Sequence, residues 1–156
     1  MPEITIDRSV PSPQAAVAPR LRTVLDGYAA REDMVLEVEI GLAGAAMSVP
    51  VVIDLDGPRT ATAFALTLRA RQQAAWFPAF RGEVRSEPVG PLESTLRLQG
   101  TYELPLGTLG DIADRTILGH AAERSLQHFA DRLRTDVVEE IRRAELSVRQ
   151  REGHHS

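Results

Sequence analysis

The chain has no cysteine, no lysine and no asparagine, and it is poor in rings, with one Trp, two Tyr and four Phe in 156 residues. Without cysteine there is no disulfide frame, no thiolate metal site and no cysteine nucleophile. Without lysine, a Schiff base or a lysine phosphate anchor is excluded. All 18 basic residues are arginine, which composition bias explains more simply than a selected function does. No apolar run approaches the ~18 residues of a membrane span. The opening MPEITIDRSV has no basic segment followed by an apolar one, so it does not read as a signal peptide. The expectation is a cytoplasmic protein with no integral membrane part. A net charge of −4 argues against a dominant nucleic-acid surface. The sequence shows no zinc helix motif, nucleophile elbow or dinucleotide fingerprint. Residues 107–110 (GTLG) lack the lysine and the spacing of a phosphate loop.

What is present is enough for a core. The apolar share is 43%. The length fits one domain, read as residues 1–148, followed by a polar, frayed tail at 149–156. Residues 3–10 alternate as a strand. After PSPQ the period changes: Val17, Leu21, Val24, Leu25 and Tyr28 share one helical face over roughly 15 residues. Ser12 reads as the cap of that helix and Pro13 as its first residue.

From residue 33 the period is two. Met34, Leu36, Val38, Ile40 and Leu42 share a face. GLAGAA (41–46) reads as a flexible turn. Met47, Val49, Val51, Ile53 and Leu55 form the next inward row, and Pro50 suggests an edge or a bulge. DLDGPR (54–59) reads as a turn, then Thr62, Phe64, Leu66 and Leu68 point inward. Another strand is read over about 80–87, with a turn at EPVGP (87–91). Leu96, Leu98, Gly100, Tyr102 and Leu104 make the last inward row. A long helix follows from about 111 to 147. Its stripe is Leu118, Ala122, Leu126, Phe129, Leu133, Val137 and Ile141, and Gly119 reads as a break between a short first helix and the long one.

The fold class is therefore α+β: strand, helix, five strands, long helix, with an antiparallel meander whose apolar face the last helix covers. That order resembles the START/Bet v1-like (SRPBCC, polyketide cyclase and lipid-transport) superfamily over about residues 3–146. The stretch LRLQGTYELPLGTLGDIADRTILGHAAERSLQHFADRL (96–133) is similar to the last strand, turn and helix of small bacterial members, and WFPAFRGEV (76–84) to the preceding strand. GLAGAA stands where plant members carry a glycine-rich loop, but with two glycines and no lysine. The resemblance implies a helix-grip fold, in which a curved antiparallel sheet wraps a long C-terminal helix. It also implies a cavity between them that takes sterols, lipids, polyketides, hormones or quinones. The superfamily shares no single catalytic motif, so no catalytic residue is carried over.

The expected ligand-binding set is Tyr28, Leu36, Val38, Phe64, Leu66, Trp76, Phe80, Tyr102, Ala122, Leu126, Phe129 and Leu133. Within it, Tyr28 and Tyr102 are the polar handles. AAWFPAF (74–80) gathers three of the seven rings. There Trp76 is expected at the cavity rim, Phe80 inside it, and Phe77 under a loop or partly exposed. His120 and His128 lie about 80° apart around the helix, a poor geometry for one metal, and no metal or other cofactor is expected. His154 and His155 fall in the tail. Asp54, Asp56, Asp111, Asp114, Glu37 and Glu39 read as turn, cap or solvent-facing acids. Arg69, Arg71, Arg81, Arg85 and Arg97 fall on one outward face, most simply a solvated, salt-bridged one. The leading function is binding or transport of an apolar small molecule. A cyclase or dehydratase acting on a polyketide-like substrate is the alternative, and a protein-interaction module or homodimer is the third.

Overall fold

The computed structural model describes residues 2–40, 45–72, 77–104 and 112–153, with the side chains of all of these but 39–40, 45–46, 58–59 and 112–118. Eight elements follow in order: β1 (Glu3–Val10), α1 (Gln14–Ala30), β2 (Val35–Ile40), β3 (Ala45–Thr60), β4 (Ala63–Ala70), β5 (Ala79–Gly90), β6 (Glu93–Glu103) and α2 (Ile112–Gly153). The strands form one antiparallel sheet in the order β1-β6-β5-β4-β3-β2. The sheet curls into a half-barrel around α2, as the α+β helix-grip reading expects.

Period-two patterning decides which face is inward. Leu36 and Val38 on β2, Val49, Val51 and Ile53 on β3, Phe64, Leu66 and Leu68 on β4, Phe80 and Val84 on β5, and Leu96, Leu98 and Tyr102 on β6 are all buried. They meet Ala122, Leu126, Phe129, Leu133, Val137 and Ile141 of α2 in one continuous core. Five of α1's residues, Val17, Leu21, Val24, Leu25 and Tyr28, close one side of it.

Both sheet edges reach α2 within one helical turn. Arg134 Nε donates to the Ser9 carbonyl of β1 at 2.6 Å, and Arg132 Nη1 donates to the Val35 carbonyl of β2 at 3.2 Å. Arg8 Nε meets Asp131 Oδ1 at 2.5 Å. A flat six-stranded sheet would hold its edges about 24 Å apart at ~4.8 Å per strand. One turn of one helix reaches both, so the sheet is curled and α2 spans its open side. The arginines also satisfy carbonyls that edge strands otherwise leave to solvent or to a foreign strand.

Several boundaries differ from the sequence reading. Pro13, not Ser12, stands at the cap of α1, and no side chain caps it. The Ser12 carbonyl instead accepts from Ser94 Oγ at 2.8 Å, and its N–H is spent on Val10 O, so tertiary bonding fixes this corner. Pro50 lies at neither an edge nor a register shift. It is where β3 changes partner: residues 45–50 pair with β2 and residues 51–60 with β4. A missing N–H is tolerated at such a changeover.

The turn expected at 54–59 is part of β3. Asp56-Gly57 forms an irregularity in the ladder, with Gly57 at φ 102, and the chain reverses at 61–62 instead. Thr62 therefore belongs to the turn. The reversal expected at 87–91 falls at 91–92, and β5 is longer than read. Ala63 and Ala65, on the outward row, are buried as well. Met47 shares the inward row but is 48% exposed near the start of β3.

At the other end, α2 is continuous through Gly119 and through 149–153, where a frayed tail was expected. Its 42 residues span roughly 63 Å at ~1.5 Å each. The GLAG of the expected loop (41–44), Trp76 and its neighbours 73–75, the 105–111 turn with Asp111, and His154 and His155 lie outside the described residues. Among the described residues no helix is long and apolar enough to cross a membrane.

Candidate functional site

The concave face of the sheet and the facing side of α2 form the candidate site. On the sheet wall two glycines stand opposite each other, Gly82 on β5 and Gly100 on β6. Both occupy inward positions, two residues from Phe80 and Tyr102 respectively. The Phe80 ring lies over the pair. A Cβ at 82 would stand 2.7 Å from Phe80 Cζ and from Gly100 Cα; one at 100 would stand 2.9 Å and 2.6 Å from the ring and from Gly82 Cα. Only glycine permits this approach. On the helix wall the residues near this level are also small. Tyr102 Oη donates to Glu123 Oε1 at 3.3 Å, which sets the level, and beside Glu123 lie the fully buried Ala122 and Ser125. Ser125 Oγ is satisfied by the Ala121 carbonyl at 2.8 Å.

Two tyrosines carry polar groups at the rim. Tyr28 is buried on α1, with its ring 6.3 Å from that of Phe129 at a 55° tilt. Its hydroxyl donates to Asp136 Oδ2, which also accepts from Arg132 Nε at 3.0 Å. Burial, reinforced by the Asp136 carboxylate, raises the Tyr28 phenol well above its ordinary value, so it stays a donor. Burial and then Glu123 raise Tyr102 in the same direction. A shallow cleft of about 280 Å³ lies over the first network, between Thr23 and Gly27 of α1, with Arg31 just past its end, and Glu139, Glu140 and Arg143 of α2.

The expected binding residues fall as follows. Leu36, Val38, Phe64, Leu66, Phe80, Tyr102, Ala122, Leu126, Phe129 and Leu133 are buried in the shared core between sheet and α2. Tyr28 is buried with them, but its hydroxyl is turned to the α1–α2 seam. Trp76 lies outside the described residues. Phe77 is fully buried at 1% exposure, which excludes the partly exposed one of its two expected placements. His120 is exposed and His128 half-buried. No group of three or more metal-capable side chains gathers among the described residues.

Sequence reasoning passed over Asp136, Glu123, Gln14 and Ser86. Arg132 and Asp136 carried a usable signal, an ion pair at i,i+4 beside the apolar stripe. Ser86 carried another: it continues the inward row Phe80, Gly82, Val84 as a polar residue.

On the outer face the arginines divide. Arg85 pairs with Glu83 and Glu87, and Arg97 with Asp7 at 2.8 Å and Glu87 at 3.5 Å. The Arg97 hydrogen bond holds the Asp7 carboxyl below its usual range. Arg71 donates to the Glu32 carbonyl. Arg69 and Arg81 make no ion pair among the described residues and border a hollow of about 450 Å³ with Thr67, Thr101 and Glu103. The salt-bridged reading therefore holds for two of the five arginines, Arg85 and Arg97.

No family model matches the sequence, and no curated protein matches it. Solved structures do. A conserved protein from Geobacillus kaustophilus is similar at 13% identity and a TM-score of 0.57, over 88% of this chain and 96% of its own. The Zhui aromatase/cyclase from Streptomyces sp. R1128 is similar at 19% identity and a TM-score of 0.50, over 91% of this chain and 94% of its own. Ara h 8.0201 is similar at 12% identity and a TM-score of 0.51, over 90% and 98%. With these likenesses, the half-barrel and its gripped helix identify the chain's architecture as the helix-grip fold that these solved structures share.

Proposed function

We propose that the chain binds an apolar small molecule, lipid, polyketide, quinone or sterol in kind, between the concave sheet face and α2. The observation that carries this reading is the coincidence of small residues on both walls near one level. Gly82 and Gly100 face inward from the sheet, and Ala122 and Ser125 from the helix. A solid core is normally built by interdigitating large and small residues across such a seam. The Phe80 ring lies over the glycine pair, so the room left by the small residues is what lies beyond that ring toward Ala122 and Ser125, and this reading gives it to a ligand.

The test is to incubate the protein with a mixed lipid and polyketide extract and examine it by native mass spectrometry, before and after Ala122→Phe. The expected result is a retained apolar species in the wild type and its loss in the variant, with the variant still folded. If the interior is solid, nothing is retained, and Ala122→Phe destabilises the fold by about 1–3 kcal/mol through overpacking.

A cyclase- or dehydratase-type enzyme is the second reading. It is favoured by the Glu123 carboxylate on the Tyr102 hydroxyl and by the fold shared with an aromatase/cyclase. On this reading Glu123→Gln keeps the ligand and stops its conversion. An unchanged product profile in that variant would remove Glu123 from any catalytic role.

A further inference from the structure

Three buried side-chain atoms have no hydrogen-bond partner among the described residues: Gln14 Oε1, Ser86 Oγ and Arg85 Nε. Arg85 belongs to the outer ion network. The other two belong to neighbouring groups: Gln14 Nε2 donates to the Ser86 backbone carbonyl at 2.8 Å, which sets the free amide oxygen beside the residue that carries the free hydroxyl, and we take the two as one nook. The amide orientation is fixed by that bond, because a flipped amide would set oxygen against oxygen. Ser86 is 3% exposed and lies on the inward row of β5. Its cross-strand partner is Leu96, and its N–H is taken by the Thr62 carbonyl at 2.9 Å. Ser94, close by on β6, spends its hydroxyl on the Ser12 carbonyl. The two free atoms thus stand in an otherwise satisfied, apolar setting, where unpaired polar atoms are costly and rare.

We infer that this nook receives the hydroxyl end of the interior's ligand, which makes that ligand an apolar body carrying a terminal alcohol or phenol. The inference rests on the ligand-binding reading above. Gln14 Oε1 can only accept, and Ser86 Oγ can both donate and accept. A ligand hydroxyl donates to the first and accepts from the second, and so satisfies both. A ketone leaves Gln14 Oε1 unmatched, a carboxylate is repelled by it, and a pure hydrocarbon satisfies neither. The nook lies six residues along β5 from Phe80, about 20 Å at ~3.3 Å per residue. The apolar body then extends from the nook toward the glycine pair, with its polar end at Gln14 and Ser86.

Pyrene and 1-hydroxypyrene, two fluorophores that differ by one hydroxyl, provide the test. The expected result is binding of both by the wild type, with 1-hydroxypyrene roughly tenfold tighter for its two hydrogen bonds. Ser86→Ala removes a hydroxyl that has no partner to lose, so it folds as the wild type does. It brings the ratio close to one with pyrene affinity unchanged, and Gln14→Met does the same by an independent route. Equal affinity of the wild type for the two probes means that water occupies the nook; that overturns the inference and leaves the ligand-binding reading standing. A preference that survives Ser86→Ala also overturns it. Binding of neither probe overturns the ligand-binding reading and this inference with it.

Discussion

At Gly82 an added methyl would stand 2.7 Å from both the Phe80 ring and the Gly100 Cα, whereas at Gly119 of α2 nothing lies within 4 Å of the same addition. One substitution therefore has opposite signs at two sites. Gly82→Ala forces the β5–β6 backbones apart and is expected to cost about 3 kcal/mol. Gly119→Ala removes backbone freedom from the unfolded chain and is expected to gain up to ~1 kcal/mol. Urea unfolding of both variants measures this, and a neutral Gly82→Ala would refute the close packing of ring on glycine. The residue scale was partly legible in the chain. Gly100 stands visibly on the inward row of the last strand, and an inward glycine is a mark of close approach. Its partner Gly82 comes from another strand, however, and only the β5–β6 register sets them face to face. The same limit applies to Tyr28 and Asp136, 108 positions apart, and to Gln14 and Ser86, 72 apart. Nothing local announces such pairs.

Among the elements, α2 was the most readable, since its stripe at steps of three and four persists from Ala122 to Ile141 and every member is buried. Turns were read less well. Asp56-Gly57 and the Pro88–Gly90 region carry turn chemistry, yet both sit inside strands as ladder irregularities. A positive φ at glycine serves a bulge as well as a turn. That α2 covers the sheet was legible, but its hold on the sheet edges was not, because Arg132 and Arg134 look like ordinary solvent-facing residues of a helix. In the structure they fasten opposite edges of the half-barrel, Arg132 at Val35 and Arg134 at Ser9. Arg134→Met is expected to speed amide hydrogen exchange in β1, and Arg132→Met in β2. Each should lower stability by about 1 kcal/mol, the size of one net hydrogen bond. Exchange in β4 and β5 should follow the global change alone. If both variants accelerate exchange evenly across all six strands, the arginines are not edge fasteners.

For the whole molecule, the order of strands and helices was legible because alternation and helical period are local and strong, while the occupant of the interior depends on groups that meet only after folding. The absences that open the sequence give a further handle. With no lysine and no cysteine, the two tyrosines are the only side chains that titrate between about pH 9 and 12. The Tyr28 phenol is raised in the folded state by burial and by Asp136. The unfolded chain therefore loses that proton first, near pH 10, while the folded protein keeps it. Stability is complete below about pH 10 and falls as pH rises above it, by about 1.4 kcal/mol per unit, until Tyr28 itself ionises. Tyr102 adds a smaller decline of the same sign. Tyr28→Phe has no phenol to titrate. It should start about 1 kcal/mol lower at neutral pH, for its lost hydrogen bond, and then decline far less, so that the two curves converge. Urea midpoints taken from about pH 9 to 11.5, with phenolate absorbance followed in parallel, decide it (the range in which these are the side chains that change). Curves that fall in parallel would place the alkaline weakness elsewhere and remove Tyr28 from the seam that joins α1 to α2.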